Sequence, residues 1–387
     1  MRVRVVVVLL VAFALGCASA PWRRDRTGIT REELLAGAPL GITPDPAALV
    51  DEDEVLAVSA EMQEFLDDHV ARTTGQVLRL RQLASAIITD GTFGLEYDET
   101  TRTAAETFHE RRGNCLSFSN MFVALARQEG LKASFQEVDT PPDWSFRDDA
   151  FVLNRHVNVL LELGREGEHV VDFNMDDFRT SYDRRAISDG RALAHYYNNV
   201  AVERMRTDDV ASALGYFRRA VDNDPSFSPA WTNLGTLYHR QGHDRYAEAA
   251  YLQALRADGR DLVATSNLAG LYEERGDARR AAQYRSRVRS HREHNPYYRF
   301  QLARTAFEAQ DYDGAIAHLK YAIRKKRNED QFYFLLAVSY MKEGDEKAAR
   351  RWLSRAEEVA ATDALKRRYA DKIDILLSAS PDEGRRE

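Results

Sequence analysis

The chain has 387 residues, 44% hydrophobic and 30% charged, with a formal net charge of -7. That length allows two or three separately folded domains and the composition describes a soluble globular body. The acidic balance argues against nucleic acid as a partner, and basic clusters such as Arg324-Lys325-Lys326-Arg327 read as solvated helix ends.

The first residues read as a targeting segment. Arg2 and Arg4 precede an apolar run from Val5 to Leu15, which is short for a membrane span and fits the core of a secretion signal. Ala14-Leu15-Gly16-Cys17 then resembles the lipobox of bacterial lipoproteins, although leucine is usual where Ala14 stands. The resemblance implies a signal peptide over residues 1–17 and a lipid on Cys17 that anchors the chain to a membrane. Ala18, not aspartate, follows the cysteine, so the expected location is the outer membrane, on its periplasmic side. A second reading stays open: Ala18-Ser19-Ala20 is an A-x-A cleavage site, and cutting there removes Cys17 and leaves a soluble periplasmic protein. Either way, Cys115 is left without an internal disulfide partner in an oxidising compartment.

Residues 18–50 predict a spacer, because Pro39, Pro44, Pro46 and the turn formers of Gly41-Ile42-Thr43-Pro44-Asp45-Pro46 fall within it. Helical spacing begins near Glu52, with Leu56, Met62, Leu66, Val70 and then Val77, Leu80, Leu83, Ile87 at steps of mostly three and four. Asp90-Gly91 predicts a turn, and a helix from Thr100 to Glu110 is expected to stop at Gly113. The next helix opens at Asn114 or Cys115, with Leu116, Phe118, Met121, Phe122 and Leu125 on one buried stripe, and Gly130 closes it. Ala133 to Val138 reads as a strand, followed by a long irregular segment from Asp139 to Asp149.

Val157, Val159, Leu161 and Leu163 alternate with His156, Asn158 and Glu162, and after a turn Val171, Phe173 and Met175 alternate with Asp172 and Asn174. Two half-buried strands paired as a hairpin put His156 and Asp172 on one side of a sheet. A thiol, an imidazole and a carboxylate are the parts of a cysteine nucleophile with its base and orienter. A thiol attacks a carbonyl only as thiolate, and a helix N-terminus favours that form.

The stretch from about Thr103 to Asn174 resembles the transglutaminase-like superfamily, on Gly113-Asn114-Cys115 opening a helix, Ala124-Leu125-Ala126-Arg127 within it, His156 at a strand start and Asp172 on the next strand. The resemblance implies a papain-like α+β domain, here residues 51–193, with a Cys115-His156-Asp172 triad that acts on amide bonds through a thioester. The strand reads His-Val-Asn-Val where His-Ala-Trp-Val is more usual, and no proline follows Asp172. Members of this superfamily also serve as inactive folds, so a catalytically idle scaffold in the cell envelope is the alternative expectation. Metal and cofactor are not expected: His109-Glu110 lacks a second histidine, the pairs His239/His243 and His291/His294 lack a third ligand, and no phosphate-cradling glycine loop occurs.

The second half is an array of five units starting at Ala194, Ser228, Leu262, Pro296 and Asp330, a constant step of 34 residues. Trp231, Leu234, Gly235, Tyr238, Ala247, Tyr251 and Ala254 of the second unit have counterparts in the others. The pattern resembles tetratricopeptide repeats, implying an all-α solenoid over residues 194–363 with a capping helix and tail over 364–387. Thr362-Asp363 is the expected cap of that last helix, and Leu365, Tyr369, Ile373 and Leu376 its stripe. By this resemblance the first helix of each unit lines a groove for a protein or peptide. The fourth and fifth units would present Tyr297, Phe300, Arg304, Phe307, Phe334, Val338 and Met341 there, and the first three the polar Asn198, Thr232, His239 and Glu273. The helix around Tyr369 folding back into the groove is the competing expectation.

Overall fold

In this computed structural model the described residues are 27–71, 75–88, 93–138, 143–147, 150–152, 156–172, 182–360, 366, 367, 369, 370 and 372. The signal segment with Cys17, the Asp90-Gly91 turn, Thr362-Asp363, Leu365, Ile373, Leu376 and the tail from Ser380 lie outside them.

Residues 27–50 are packed onto the repeats and do not form a spacer. Thr30 caps α1 (Arg31–Ala36) with a reciprocal Thr30–Glu33 capping box, and Leu34 and Leu35 are buried. Tyr238 donates its hydroxyl proton to Leu34 O at 2.5 Å. Further on, Tyr197 donates to Val50 O at 3.1 Å, Tyr216 accepts from Val50 N at 3.2 Å, and Arg219 reaches Val50 O, Pro46 O and Asp51. Gly215 shows why the fit is close: a Cβ there would stand 2.8 Å from Leu49 and 3.1 Å from Pro44. The prolines that suggest a loose linker instead shape a strap whose leucines complete the core of the first two units.

Two short helices follow, α2 (Glu52–Val55) and α3 (Ala60–His69), then α4 (Gln76–Ile88), with Met62, Leu66 and Leu83 fully buried. A two-residue strand β1 (Glu96–Tyr97) precedes α5 (Ala104–Glu110), which starts later than the spacing suggests because Thr103 forms a capping box with Glu106. Arg111, at φ 55, ends α5. Gly113, the expected stop, serves instead in strand β2 (Arg112–Gly113), where a Cβ would come within 2.6 Å of the Ser117 Cβ. β2 pairs in parallel with β1, setting Tyr97 opposite Gly113.

Helix α6 (Cys115–Gln128) is buried from Leu116 to Ala126 on every side, more than one apolar stripe requires. Its buried polar residues Ser117, Ser119 and Asn120 all hydrogen-bond, which meets the cost of removing them from water. The strands β3 (Lys132–Val138), β4 (Asp143–Arg147), β5 (Ala150–Val152), β6 (His156–Glu162), β7 (Glu168–Val171) and β8 (Arg184–Ile187) follow. β7, β6, β3 and β8 form, in that order, an antiparallel sheet, with α6 against β6 and β3. The described part of the stretch expected to be irregular holds β4, which pairs antiparallel with β5 just beyond it. Leu160, the break in the β6 alternation, is explained by burial of both faces: Asn158, Leu160, Gln136 and Val138 are as enclosed as Val157 and Val159.

Ten helices, α7 (Asp189–Arg206), α8 (Val210–Asn223), α9 (Ser228–Arg240), α10 (Asp244–Ala257), α11 (Leu262–Glu274), α12 (Ala278–His294), α13 (Pro296–Glu308), α14 (Tyr312–Lys325), α15 (Asp330–Lys342) and α16 (Glu346–Val359), pair as five helical hairpins. The first helices of units two to five begin where the period places them; α7 begins five residues before Ala194. That added turn joins the two domains. Asp189 takes a bidentate contact from Arg127 at 2.7 and 2.8 Å. Glu137 on β3 is held by Arg191 at 2.8 Å, His195 at 2.7 Å and Arg185 at 2.5 Å. Burial alone would raise the Glu137 pKa, but His195 and Arg191 hold it well below the usual carboxylate range.

The strap yields a direct test. Leu34→Ala, at 2% exposure, is expected to cost about 2–5 kcal/mol in urea unfolding of the repeat array. A change within a few tenths would return residues 27–50 to the status of a spacer.

Candidate active site

Asn114 makes the start of α6. Its backbone is extended, and its Oδ1 accepts from Ser117 N at 3.0 Å, so Cys115 is the first helical residue. The cap takes the Ser117 amide, and the Cys115 N–H, at the first helical position, has no partner within the helix. Cys115 is half-buried and carries a free thiol. Ser119 ties this turn to the sheet, its Oγ lying 2.8 Å from Cys115 O and 3.1 Å from Val157 O. Its hydroxyl therefore links the Cys115 carbonyl to that of the residue after His156.

The β6–β7 register pairs Val159 with Val171, which brings Asp172 opposite Asn158 and diagonal to His156. His156 Nε2 donates to Asp172, at 2.7 Å from Oδ2 and 2.8 Å from Oδ1. Asp172 is 2% exposed and also accepts from Asn158 Nδ2 at 2.9 Å. With Nε2 committed to the carboxylate, Nδ1 is the ring nitrogen left over, and Cys115 lies near enough to add to the rise in the His156 pKa. The structure thus brings Cys115, His156 and Asp172 together, with the imidazole in the middle.

The electrostatics follow from the enclosure. Burial of His156 disfavours its charged form, but the bonds to Asp172 and Cys115 outweigh that and push its pKa up to about 10. Tyr97 stands beside the thiol: burial and the nearby Cys115, Glu99 and Asp98 raise the pKa of its phenol.

Three residues of this site were not evident as such in the sequence. Asn158 stands where the strand departs from the more usual His-Ala-Trp-Val, and that departure was its signal. Ser119 sits four residues after Cys115, and so on one helix face with it. Tyr97 depends on the β1–β2 pairing, which two-residue strands do not announce.

The expected groove residues separate. Tyr297 and Phe300 pack on Phe332 with ring centroids 5.5 and 5.1 Å apart, and Phe307 packs on Tyr312 at 5.4 Å. These rings are spent inside the array. Tyr297 is also covered by Lys326, which pairs with Asp183 at 3.7 Å. So Lys326 departs from its basic cluster, whose Arg324, Lys325 and Arg327 are exposed as expected. Phe334 is covered by the residues near the C-terminus: Tyr369 lies 5.5 Å away, Lys372 Nζ lies 4.0 Å from the ring centroid, and the Tyr369 hydroxyl donates to Asp330 at 2.6 Å. The competing expectation therefore describes Phe334, and an open apolar pocket does not. Arg304 and Met341 are exposed and Val338 is half-buried. The polar residues of the earlier units are bonded within the array: Asn198 to Asn233, Thr232 to Asp261, His239 to Asp244 and Glu273 to Arg285.

Family models match three parts of the chain. Residues 64–163 match the transglutaminase-like superfamily, and residues 216–249 and 306–367 match tetratricopeptide repeats. The protein therefore combines a transglutaminase-like α+β domain with a repeat solenoid, and the repeats suggest interaction with protein. No curated protein matches the chain. Solved structures it is similar to include YrrB, titled a TPR protein with an unusual peptide-binding site, at 20% identity, covering 46% of this chain and 92% of that one with a TM-score of 0.24. Another is pilF of Pseudomonas aeruginosa, at 16% identity, covering 50% and 96% with a TM-score of 0.26. A third is MamA of Desulfovibrio magneticus, at 14% identity, covering 43% and 94% with a TM-score of 0.25.

The pairing of His156 sets a pH dependence. Its pKa is raised from 6.5 to about 10 on folding, so its stabilising contribution is complete below the unfolded value and is lost as pH rises through about 10. In ring-labelled protein observed by NMR, His156 is expected to stay imidazolium from pH 5 to 8, and Asp172→Asn to bring its titration towards neutrality. Titration of the native ring near the unperturbed 6.5 would contradict the pairing.

Proposed function

We propose that this protein is an exported thiol enzyme that cleaves or transfers acyl groups at amide bonds, with the repeat array engaging a protein or peptide partner. The observation that carries the reading is the position of His156, hydrogen-bonded to buried Asp172 and near enough to Cys115, at a capped helix start, for the thiol to help raise its pKa. A merely structural histidine needs one satisfied nitrogen; this one links a nucleophile to a carboxylate.

The chemistry proceeds in two halves. His156 already stands as imidazolium, held by Asp172, and pairs with Cys115 as thiolate. The thiolate adds to the amide carbonyl carbon, and the C=O electron pair moves to oxygen, for which the Cys115 N–H, without a partner inside the helix, is the candidate donor. The tetrahedral adduct collapses as the carbon–nitrogen bond breaks, and His156 returns its proton to the departing amine. A thioester on Cys115 remains. Water or a second amine, deprotonated by His156, then attacks it and restores the thiol. Asn158, donating to Asp172 Oδ2, fixes the carboxylate so that the ring cannot rotate away from Cys115.

Tetratricopeptide arrays recognise protein segments along their helical surfaces, and this array is the reading's means of selecting a partner. The lipobox-like Ala14-Leu15-Gly16-Cys17 supports a lipid anchor on Cys17 and a periplasm-facing position at the outer membrane. Among the described residues no helix is long and apolar enough to cross a membrane.

Two outcomes are expected. Alkylation of Cys115 by iodoacetamide at pH 7 should slow by about tenfold or more in His156→Ala, in line with removal of a base from its nucleophile; equal rates in both proteins would remove the catalytic reading. Metabolic labelling with a fatty acid should mark the full chain expressed in a Gram-negative host and be lost in Cys17→Ala. Absence of label, with the mature chain starting after Ala20, would leave the soluble periplasmic form.

A further inference from the structure

The first turns of α6 are clamped by a short segment from another part of the domain. Thr100, Thr101 and Arg102 run across them, and four hydrogen bonds join the two. Asn114 Nδ2 donates to Thr101 Oγ1 at 2.8 Å, Arg102 N to Ser117 Oγ at 2.9 Å, and Asn120 Nδ2 to Arg102 O at 3.4 Å. Ser117 Oγ lies 3.2 Å from Thr100 O and 3.1 Å from Asn114 Oδ1, so its proton serves one or the other. Thr101 is the centre of this clamp and is 6% exposed. Its side chain faces the Asn114 cap, and its backbone N–H donates at 2.9 Å to Glu203 Oε1.

Glu203 belongs to α7, the first helix of the repeat array. Burial raises its pKa, and the bonds to Thr101 work against that rise. A carboxylate half-buried at a domain junction loses part of its hydration, which its bond to Thr101 offsets. The contact ends one hydrogen bond from the side chain that caps the Cys115 helix. Asn114 in turn sets the dihedrals from which Cys115 leaves the backbone.

We infer that Glu203 is a positioning residue for Cys115: it holds Thr101, Thr101 holds the Asn114 carboxamide, and that cap fixes the turn that presents the thiol to His156. The repeat array is then a structural part of the reacting centre as well as a means of choosing partners. This inference rests on the proposed role of Cys115 as a nucleophile reacting with His156.

The test is the rate of Cys115 alkylation by iodoacetamide at pH 7 in the full chain, measured for the native protein, Glu203→Ala, Glu203→Gln and His156→Ala, with thermal unfolding of each. Glu203→Ala is expected to react about five- to tenfold more slowly, as suits the loss of one buried hydrogen bond felt through two neighbours. Glu203→Gln should recover the native rate, because its carboxamide oxygen accepts the same N–H, and the unfolding temperature of Glu203→Ala, staying within a few degrees of native, separates a local effect on Cys115 from general destabilisation. Native rates in Glu203→Ala, beside a slow His156→Ala, would overturn the inference and leave the thiol–imidazole pair intact. Equal slowing in Glu203→Gln and Glu203→Ala would also overturn it, since the charge and not the hydrogen bond would then matter. Should native protein and His156→Ala react alike, both the pair and the inference fall. If Glu203→Ala does not fold, Thr101→Val decides, as it keeps the N–H to Glu203 and removes the acceptor of Asn114: slowing of the same size supports the relay, and a native rate overturns it.

Discussion

An imidazole shared between a buried carboxylate and a thiol is the constraint on which the site depends. Asp172 at 2% exposure is stable as an anion only with partners, and His156 and Asn158 supply them at 2.7 and 2.9 Å. The consequence is orientation. Nε2 is fixed on Asp172, which sets the plane of the ring, and the place of Cys115 is set in turn by the Asn114 cap and the Ser119 bridge to Val157. Helix and strand meet at those two residues, so a shift of either element would separate Cys115 from His156.

The repeat array is built into this arrangement from both sides. The added turn at the start of α7 engages Arg127 and Glu137, so the helix that carries Cys115 and the strand beside His156 are both bound to the array's first helix. From the other end of the chain, residues 27–50 lie over the first two units, with Leu34 and Leu49 in their core. Separating the two domains would therefore expose apolar surface and leave Glu137, Arg191 and His195 to find new partners. The array's last unit is closed by Tyr369 and Lys372 on Phe334, in keeping with the need of a solenoid for a covered end.

Much of the fold was legible because it rests on periodicity. A 34-residue step needs no tertiary information, and the observed helix starts at Ser228, Leu262, Pro296 and Asp330 follow from it. The alternation of β6 and β7 likewise determines which side chains share a face, which is why His156 and Asp172 could be placed together before their register was known. Features that depend on contacts between distant segments were not legible. Proline-rich residues 27–50 look like a linker until Tyr216, Tyr238 and Arg219 are seen to hold them. Gly113 looks like a helix stop, whereas its missing Cβ makes room for Ser117 and Arg111 ends the helix. The apolar residues assigned to a groove pack within and between neighbouring units, because the same rings that could line a surface also fill the space between helices.

The central claim is that Cys115, His156 and Asp172 act as one unit. Alkylation rates of Cys115 in His156→Ala, Asp172→Ala and the double variant test it most directly, because groups that work through one another have non-additive effects. The account predicts that the double variant reacts no more slowly than His156→Ala alone. Multiplicative slowing would contradict it, and would mean that the two residues affect the thiol independently.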